Sequence, residues 1–249
     1  MARLAAAGCV APDVEARELL HDAPAVDELE ARVRRREAGE PLAWITGRVD
    51  FGGLVLHLAP GVYVPRRQTE ELARRAAATL PTHGTAVDVC TGSGAIAAFL
   101  RHRVPDAFVV GVDVDAVAAR CAARNGVSVV VGDLAAPLHA AGTVDVVTAV
   151  APYVPTAARH LLPSDVRRHE PAHALDGGDD GLAVVRRVVE QAASLLRPGG
   201  HLLLELGGEQ DCALAPHLAR HGFTEVDAWH DDDGDLRGVS APRSAISWR

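Results

Sequence analysis

Lysine is absent from this chain of 249 residues: all 25 basic side chains are arginines, set against 33 acidic ones for a formal charge of −8. An acidic balance offers no broad phosphate-binding face, so nucleic acid is not the expected partner. Aromatics make up only 4% of the residues, and no apolar run approaches the ~20 residues that cross a bilayer, so no membrane partner is expected. The four cysteines (Cys9, Cys90, Cys121, Cys212) stand far apart and form no CxxC pair. That excludes a disulfide frame and fits reduced thiols in a cytoplasmic protein. The opening "MARLAAAGCV" sets small residues before Cys9, but its apolar stretch falls short of the ~7–15 residues of a signal core. Asparagine occurs once, at Asn125.

What is present is enough apolar material, 48% of the chain, for one large α/β domain with a small appendage. Residues 1–46 read as a small helical region, with helices in "EARELL" and "VDELEARVRRREAG" and Gly39 as the stop of the second. The arginines of "RVRRRE" fall on that helix among acidic neighbours and read as a solvated face. Residues 47–64 read as a β-hairpin linker, and residues 65–249 as the main domain, opening on a helix with Thr69 as its N-cap. Strands are expected at Ala86–Cys90, Phe108–Val112, Ser128–Val131, Val144–Val150 and His201–Leu206, with helices near Ala95–His102, Ala116–Asn125 and Leu182–Leu196. This alternation implies a mostly parallel sheet covered on both faces. "FTEVDAWH" and "SAISW" read as two closing strands that form an antiparallel pair.

"VDVCTGSGAIA" runs from a strand through a glycine turn into a helix, and Gly92, Gly94 and Ala97 satisfy the G-x-G-x-x-A form. Glycines let a ligand approach the backbone, and the helix N-terminus offers free N–H groups. Asp113 ends the next strand, where a carboxylate can take a ribose diol. Asp88 lies four residues ahead of Gly92, where it would repel a pyrophosphate but favour the ammonium and sulfonium of S-adenosylmethionine. Asp133 in "VVGDL" is positioned for the adenine edge. Asp88, Thr91, Gly92, Gly94, Asp113 and Asp133 are therefore the candidate cofactor residues, for S-adenosylmethionine, with NAD as the alternative.

Taken together, several segments resemble the HemK/PrmC-type protein-(glutamine-N5) methyltransferases, as a divergent, actinobacterial-like member. "GEPLAWITGRVDFGG" and "GVYVPRRQTEEL" are similar to that family's linker and pre-core segment, "DVCTGSGAIA" to its cofactor turn and "PYVP" to its catalytic loop. "HEPAHALDGGDDGLAVVRRVVEQAASLLRPGGHLLLELGGEQ" is similar to its C-terminal half. The resemblance implies a Rossmann-like class I methyltransferase with a mostly parallel seven-stranded sheet and an antiparallel terminal strand. It also implies that Val150, Ala151, Pro152 and Tyr153 form the methyl-acceptor wall, and adds Glu170 to the catalytic set, either ordering the pocket or its loop or purely structural.

In that family the strand ends in Asn-Pro-Pro-Tyr. The Asn oxygen and the next backbone carbonyl accept the two hydrogens of an amide whose lone pair is otherwise delocalised. Matched position by position, Tyr153 and Pro152 agree, Ala151 replaces a proline, and Val150 stands where the Asn belongs. Loss of one pre-organised acceptor costs about 10²–10³ in rate at comparable sites. The acceptor is thus left as a protein glutamine side chain at a rearranged site, or an amine or hydroxyl of a small molecule, as in natural-product biosynthesis. Non-methylating chemistry, or a role with a partner protein, is the third alternative.

Other patterns carry less. "HEPAH" matches a zinc-protease expression, but Pro171 breaks the helix that would bring His169 and His173 to one face, so no metal is expected. His217 and His221 read as a solvated helix face with nothing else converging, and "DDDGD" as a surface turn. Arg66 and Arg67 either close over the site or pair with Glu70 or Glu71, while Trp44 and Tyr63 read as core and linker packing.

Overall fold

The computed structural model describes residues 1–22 and 25–245. Four short helices come first: α1 (Ala2–Ala6), α2 (Pro12–Leu20), α3 (Val26–Glu37) and α4 (Leu42–Thr46). They share a small core of Leu4, Leu19 and Ile45. Every arginine of the basic run is answered by a carboxylate: Arg32 by Glu28, Arg34 by Glu30, Arg35 by Glu40 and Arg36 by Glu15. A hairpin of β1 (Arg48–Phe51) and β2 (Leu54–His57) turns at Gly52 and Gly53, both with positive φ.

Then α5 (Thr69–Thr79), β3 (Thr85–Val89), α6 (Ala95–Arg103), β4 (Phe108–Asp113), α7 (Ala116–Arg124), β5 (Ser128–Val131) and β6 (Val144–Ala149) alternate as the apolar runs predict. A 3₁₀ turn at Thr156–Leu161 and α8 (Ser164–His169) lead into α9 (Ala183–Leu195), β7 (Leu196–Glu205), α10 (Gln210–Arg220), β8 (Asp227–His230) and β9 (Leu236–Pro242). The sheet order is β5-β4-β3-β6-β7-β9-β8, parallel from β5 to β7, with β9 antiparallel to both its neighbours. β7 begins earlier than its apolar run because Leu196 already pairs with Val144, across a register shift before His201.

The closing pair differs from the expected one. Its second strand is Leu236–Pro242, and Ser244 and Ala245 follow it outside any strand; the remainder of "SAISW" lies outside the described residues. Among the described residues no helix is long and apolar enough to cross a membrane.

Side-chain alternation along the strands builds the site. Ala86, Val146 and Leu203 pack with α5 and α6 in one core cluster, while Val87, Val147 and Leu202 pack with α9 and α10 in another. Carried forward by two residues, the α5/α6 row delivers Asp88, Thr148 and Glu205 at the C-terminal edge of the sheet, all three buried. Ligand clefts of open α/β sheets form at this edge.

Candidate active site

After β3 the chain turns sharply. Cys90, Gly92 and Gly94 have φ of +56°, +58° and +79°. A Cβ on Gly94 would lie 2.9 Å from Ala122 Cβ and Val127 Cγ2, so only glycine lets the turn seat on α7; a Cβ on Gly92 would meet nothing within 4 Å. Asp113 holds the turn from the next strand. Its carboxylate accepts the Gly92 N–H at 2.8 Å and the Asp115 N–H at 2.9 Å, and burial pushes its pKa above the usual range.

Asp88 is 1% exposed and internally engaged, accepting Thr91 Oγ1 at 2.5 Å, Thr148 Oγ1 at 2.7 Å and the Ala97 N–H of α6. Burial raises its pKa to about 6 despite those donors. It borders the cleft as a buried carboxyl behind two hydroxyls, not as a free hand extended into it. Asp133 lies on an adjoining cavity with Cys90, Asp113 and Pro152, its carboxylate exposed and paired with Arg187 at 2.6 Å.

The cavity at the turn, about 100 Å³, is bordered by Asp88, Asp113 and Asp115 and, among the described residues, by no arginine. A pyrophosphate would find three carboxylates there and no guanidinium. A sulfonium with an ammonium group finds a matched field, so these residues fit S-adenosylmethionine.

A second cavity of about 650 Å³ lies alongside, and Tyr63, Val150 and Ala174 line both. Val150 follows the last residue of β6, while Ala151 and Tyr153 line the larger space and Pro152 the smaller. Tyr63 is thus a cavity wall rather than linker packing, and burial pushes its hydroxyl up to about 12. Trp44 does pack, with its indole N–H on the Val62 carbonyl at 2.9 Å.

The Tyr153 hydroxyl donates to Glu205 at 2.9 Å and accepts from Gln68 Nε2 at 3.2 Å; burial first, then Glu205, pushes its pKa far above the ordinary value. Thr69 is not the N-cap of α5. Its hydroxyl donates to Glu205 at 2.6 Å, and Gln68 holds the cap position without a side-chain capping bond. The hydroxyl is thus a charge-assisted donor to a buried carboxylate.

Behind the acceptor loop, Gln210 Nε2 donates to the Tyr153 carbonyl at 2.9 Å. The backbones of Gly177 and Gly181 abut the Pro152 and Tyr153 carbonyls so closely that a Cβ on either glycine would clash. Glu170 lines neither cavity. Its buried carboxylate accepts Arg66 Nη2 at 2.5 Å and the Val64 N–H at 3.5 Å, and Arg66, stacked over Tyr63 at 4.7 Å, faces the larger cavity. Glu170 therefore orders the Val62–Gln68 segment rather than touching the site. Residues 7–10 and Arg36 roof the larger cavity.

Asn125 is structural, bonded to both backbone groups of His57 and to the Ser93 carbonyl. The "HEPAH" histidines diverge: His169 packs edge-on against Trp44, and His173 lies 3.8 Å from Asp115. At His217 and His221, by contrast, a third group does converge, Glu190 of α9.

Gln68, Thr148, Gly181, Glu205 and Gln210 belong to the site without standing in its glycine-turn or acceptor-loop motif. Thr148 and Glu205 had a readable signal, since each interrupts an apolar strand with a polar side chain on the row that faces α5 and α6.

A family model described as a methyltransferase domain matches residues 86–169. A release factor glutamine methyltransferase of Mycolicibacterium smegmatis is 38% identical over 271 residues, covering 99% of this chain and 96% of that protein. A 4-amino-L-phenylalanine/4-methylamino-L-phenylalanine methyltransferase of Streptomyces pristinaespiralis is 43% identical over 201 residues, covering 76% of this chain and 68% of that protein. Among solved structures, a methyltransferase from Pyrococcus furiosus aligns with a TM-score of 0.56 at 18% identity, over 86% of this chain and 98% of that one. The Thermus thermophilus 16S rRNA N2 G1207 methyltransferase aligns at 0.55 and 20% identity, over 81% of this chain and 46% of that one. At such identities these two structures speak for the class I Rossmann-like fold alone. With near-full-length identity on one side and an acid-lined glycine turn on the other, the chain belongs to the HemK/PrmC family of release factor glutamine methyltransferases and is an S-adenosylmethionine-dependent methyltransferase.

Proposed function

We propose that this enzyme methylates the nitrogen of a small amine seated in the larger cavity, the methyl group crossing beside Val150. Val150 carries the reading. It borders both cavities, and its isopropyl group accepts no hydrogen bond. A glutamine amide needs such an acceptor to localise its lone pair; an amine has its lone pair already. The cavity of about 650 Å³ lies within the roughly 300–1,000 Å³ of small-molecule sites. The relative from Streptomyces pristinaespiralis is, by name, a methyltransferase of an aryl amine. All four thiols are free, which suits the reducing cytoplasm.

When bound, S-adenosylmethionine would supply an electrophilic methyl to the amine lone pair, its sulfur keeping the electron pair of the broken S–CH3 bond. Thr91, Gly92 and Gly94 would shape its seat, Asp88 and Asp113 would set a negative field for its cationic groups, and Asp133, on the adjoining cavity, would offer its carboxylate to the adenine edge. Ala151 leaves a backbone carbonyl for an amine N–H. Pro152 stiffens the wall, and Tyr153, fixed through Glu205, offers a ring face to a flat acceptor. Arg66, positioned by Glu170, adds a positive edge suited to an acidic group on the acceptor.

The second reading, a release factor glutamine, is favoured by the 38% identity that spans nearly the whole chain. Transfer of labelled methyl to 4-amino-L-phenylalanine and to a bacterial release factor separates the two. The amine is expected to be methylated at least about 10²-fold faster, and Val150→Asn to raise transfer to glutamine. Efficient methylation of the release factor by the unaltered enzyme, with the amine untouched, would overturn the proposal.

A further inference from the structure

We infer that Glu190, His217 and His221 form a site for one divalent transition-metal ion of the zinc class, at the seam between α9 and α10. The two histidines stand four residues apart, His217 in the last turn of α10 and His221 at its C-cap, with ring centroids 4.4 Å apart. Glu190 reaches them from α9, and one ligand atom from each of the three lies within 4.8 Å of the other two. Glu190 Oε1 is 3.5 Å from His217 Nε2, close to the roughly 3.3 Å between donors on a tetrahedral zinc ion with bonds of about 2.0–2.1 Å.

The surroundings prepare the ligands. His221 Nδ1 lies 2.9 Å from the His217 carbonyl. That contact fixes Nδ1 as the protonated nitrogen and leaves the Nε2 lone pair free, as outer-shell hydrogen bonds do for metal-binding histidines. His217 Nε2 now lies 3.1 Å from the Arg186 carbonyl, a contact that an entering ion would replace. The Arg186 guanidinium is engaged by Asp180 at 2.5 Å. Glu190 is exposed, so water can complete the coordination.

The ion would join two helices that both brace the acceptor loop. α10 begins at Gln210, which holds the Tyr153 carbonyl, and α9 follows the glycine segment that abuts it. Its role is therefore a clamp on the fold.

Chain prepared without a polyhistidine tag and stripped with chelator is to be dialysed against Zn²⁺, and separately titrated with Co²⁺. One equivalent of zinc, a rise in Tm and a Co²⁺ spectrum of nitrogen and oxygen ligands are expected. His221→Gln and Glu190→Gln should each weaken binding about tenfold or more, since loss of even an outer-shell partner costs 10–100-fold. Neither should change S-adenosylmethionine affinity, which also reports that the variant is folded. Absence of stoichiometric zinc, binding unchanged in both variants, or a thiolate charge-transfer band in the Co²⁺ protein would overturn the site. Should one variant fail to fold, the other and the Co²⁺ spectrum decide.

Discussion

The Tyr153 hydroxyl donates a hydrogen bond to Glu205 at 2.9 Å, and so fastens the acceptor loop to the end of the neighbouring strand. The same carboxylate accepts Gln68 Nε2 at 3.2 Å and Thr69 Oγ1 at 2.6 Å, while only 2% of the residue is exposed. Three donors thus replace water around one buried charge. Tyr153→Phe removes one donor and should cost about 1 kcal/mol. Glu205→Ala strands three donors and should cost about 3 kcal/mol or more. Urea denaturation measures both, and equal costs would show that Glu205 does not organise the cluster.

Asp88 makes cofactor binding proton-linked. Its pKa stands at about 6 in the folded protein against an ordinary 3.8, raised chiefly by burial. A raised carboxyl pKa means that the folded chain holds the proton more tightly than the unfolded one. The stability it contributes is present below about pH 4 and lost as pH rises through 6. A cationic ligand has the opposite preference and expels the proton. S-Adenosylmethionine binding should therefore strengthen between pH 5 and 7 and release protons near pH 6, seen as a dependence of calorimetric heat on buffer ionisation. Asp88→Asn should leave only the release due to Asp113, whose pKa burial also raises. Heats that do not vary with buffer at pH 6 would contradict the linkage.

The alternation of strands and helices and the strand–glycine turn–helix are legible in the sequence, because each rests on spacing within one element or between adjacent ones. Local rules fail where a partner far along the chain decides. Thr69 has the chemistry of a helix cap, but a carboxylate 136 residues away takes its hydroxyl. Glu190 joins His217 and His221 from another helix, which no periodicity on α10 reveals. Cys9 and its neighbours carry no site signal in sequence, yet they roof the larger cavity. The closing strand differs from the expected one because "LRGVSAP" holds a glycine and a proline, both poor strand formers: Gly238 sits where a Cβ would strike the Leu204 carbonyl and the Trp229 ring, and Pro242 pairs with β7 beyond the end of the β8 pairing.

Gly181 tests how firmly the acceptor loop is braced. Its φ is +76°, and a Cβ would strike the Tyr153 carbonyl oxygen and lie 2.5 Å from Gln210 Nε2. Gly181→Ala should cost at least about 1–3 kcal/mol and lower kcat with the acceptor, while S-adenosylmethionine affinity holds. Gly234→Ala is the control. Its φ of +85° imposes the same backbone strain, but its Cβ meets nothing within 4 Å. It should lower stability without touching turnover; a matching loss of turnover in the control would remove the case for the brace.

Asn125 joins the hairpin to the cofactor turn. Its Oδ1 accepts the His57 N–H at 2.8 Å, and its Nδ2 donates to the His57 carbonyl at 2.9 Å and the Ser93 carbonyl at 2.8 Å. Only an amide can accept from the N–H and donate to both carbonyls at once. Asn125→Ala should cost about 2–3 kcal/mol, from three bonds of roughly 1 kcal/mol each, and should weaken S-adenosylmethionine binding by loosening the turn at Ser93. Asn125→Asp keeps the acceptor for His57 but sets a carboxylate against two carbonyl oxygens, so it should be no more stable than the alanine variant. An aspartate variant with native stability and affinity would mean that the donor side of Asn125 does nothing for the turn.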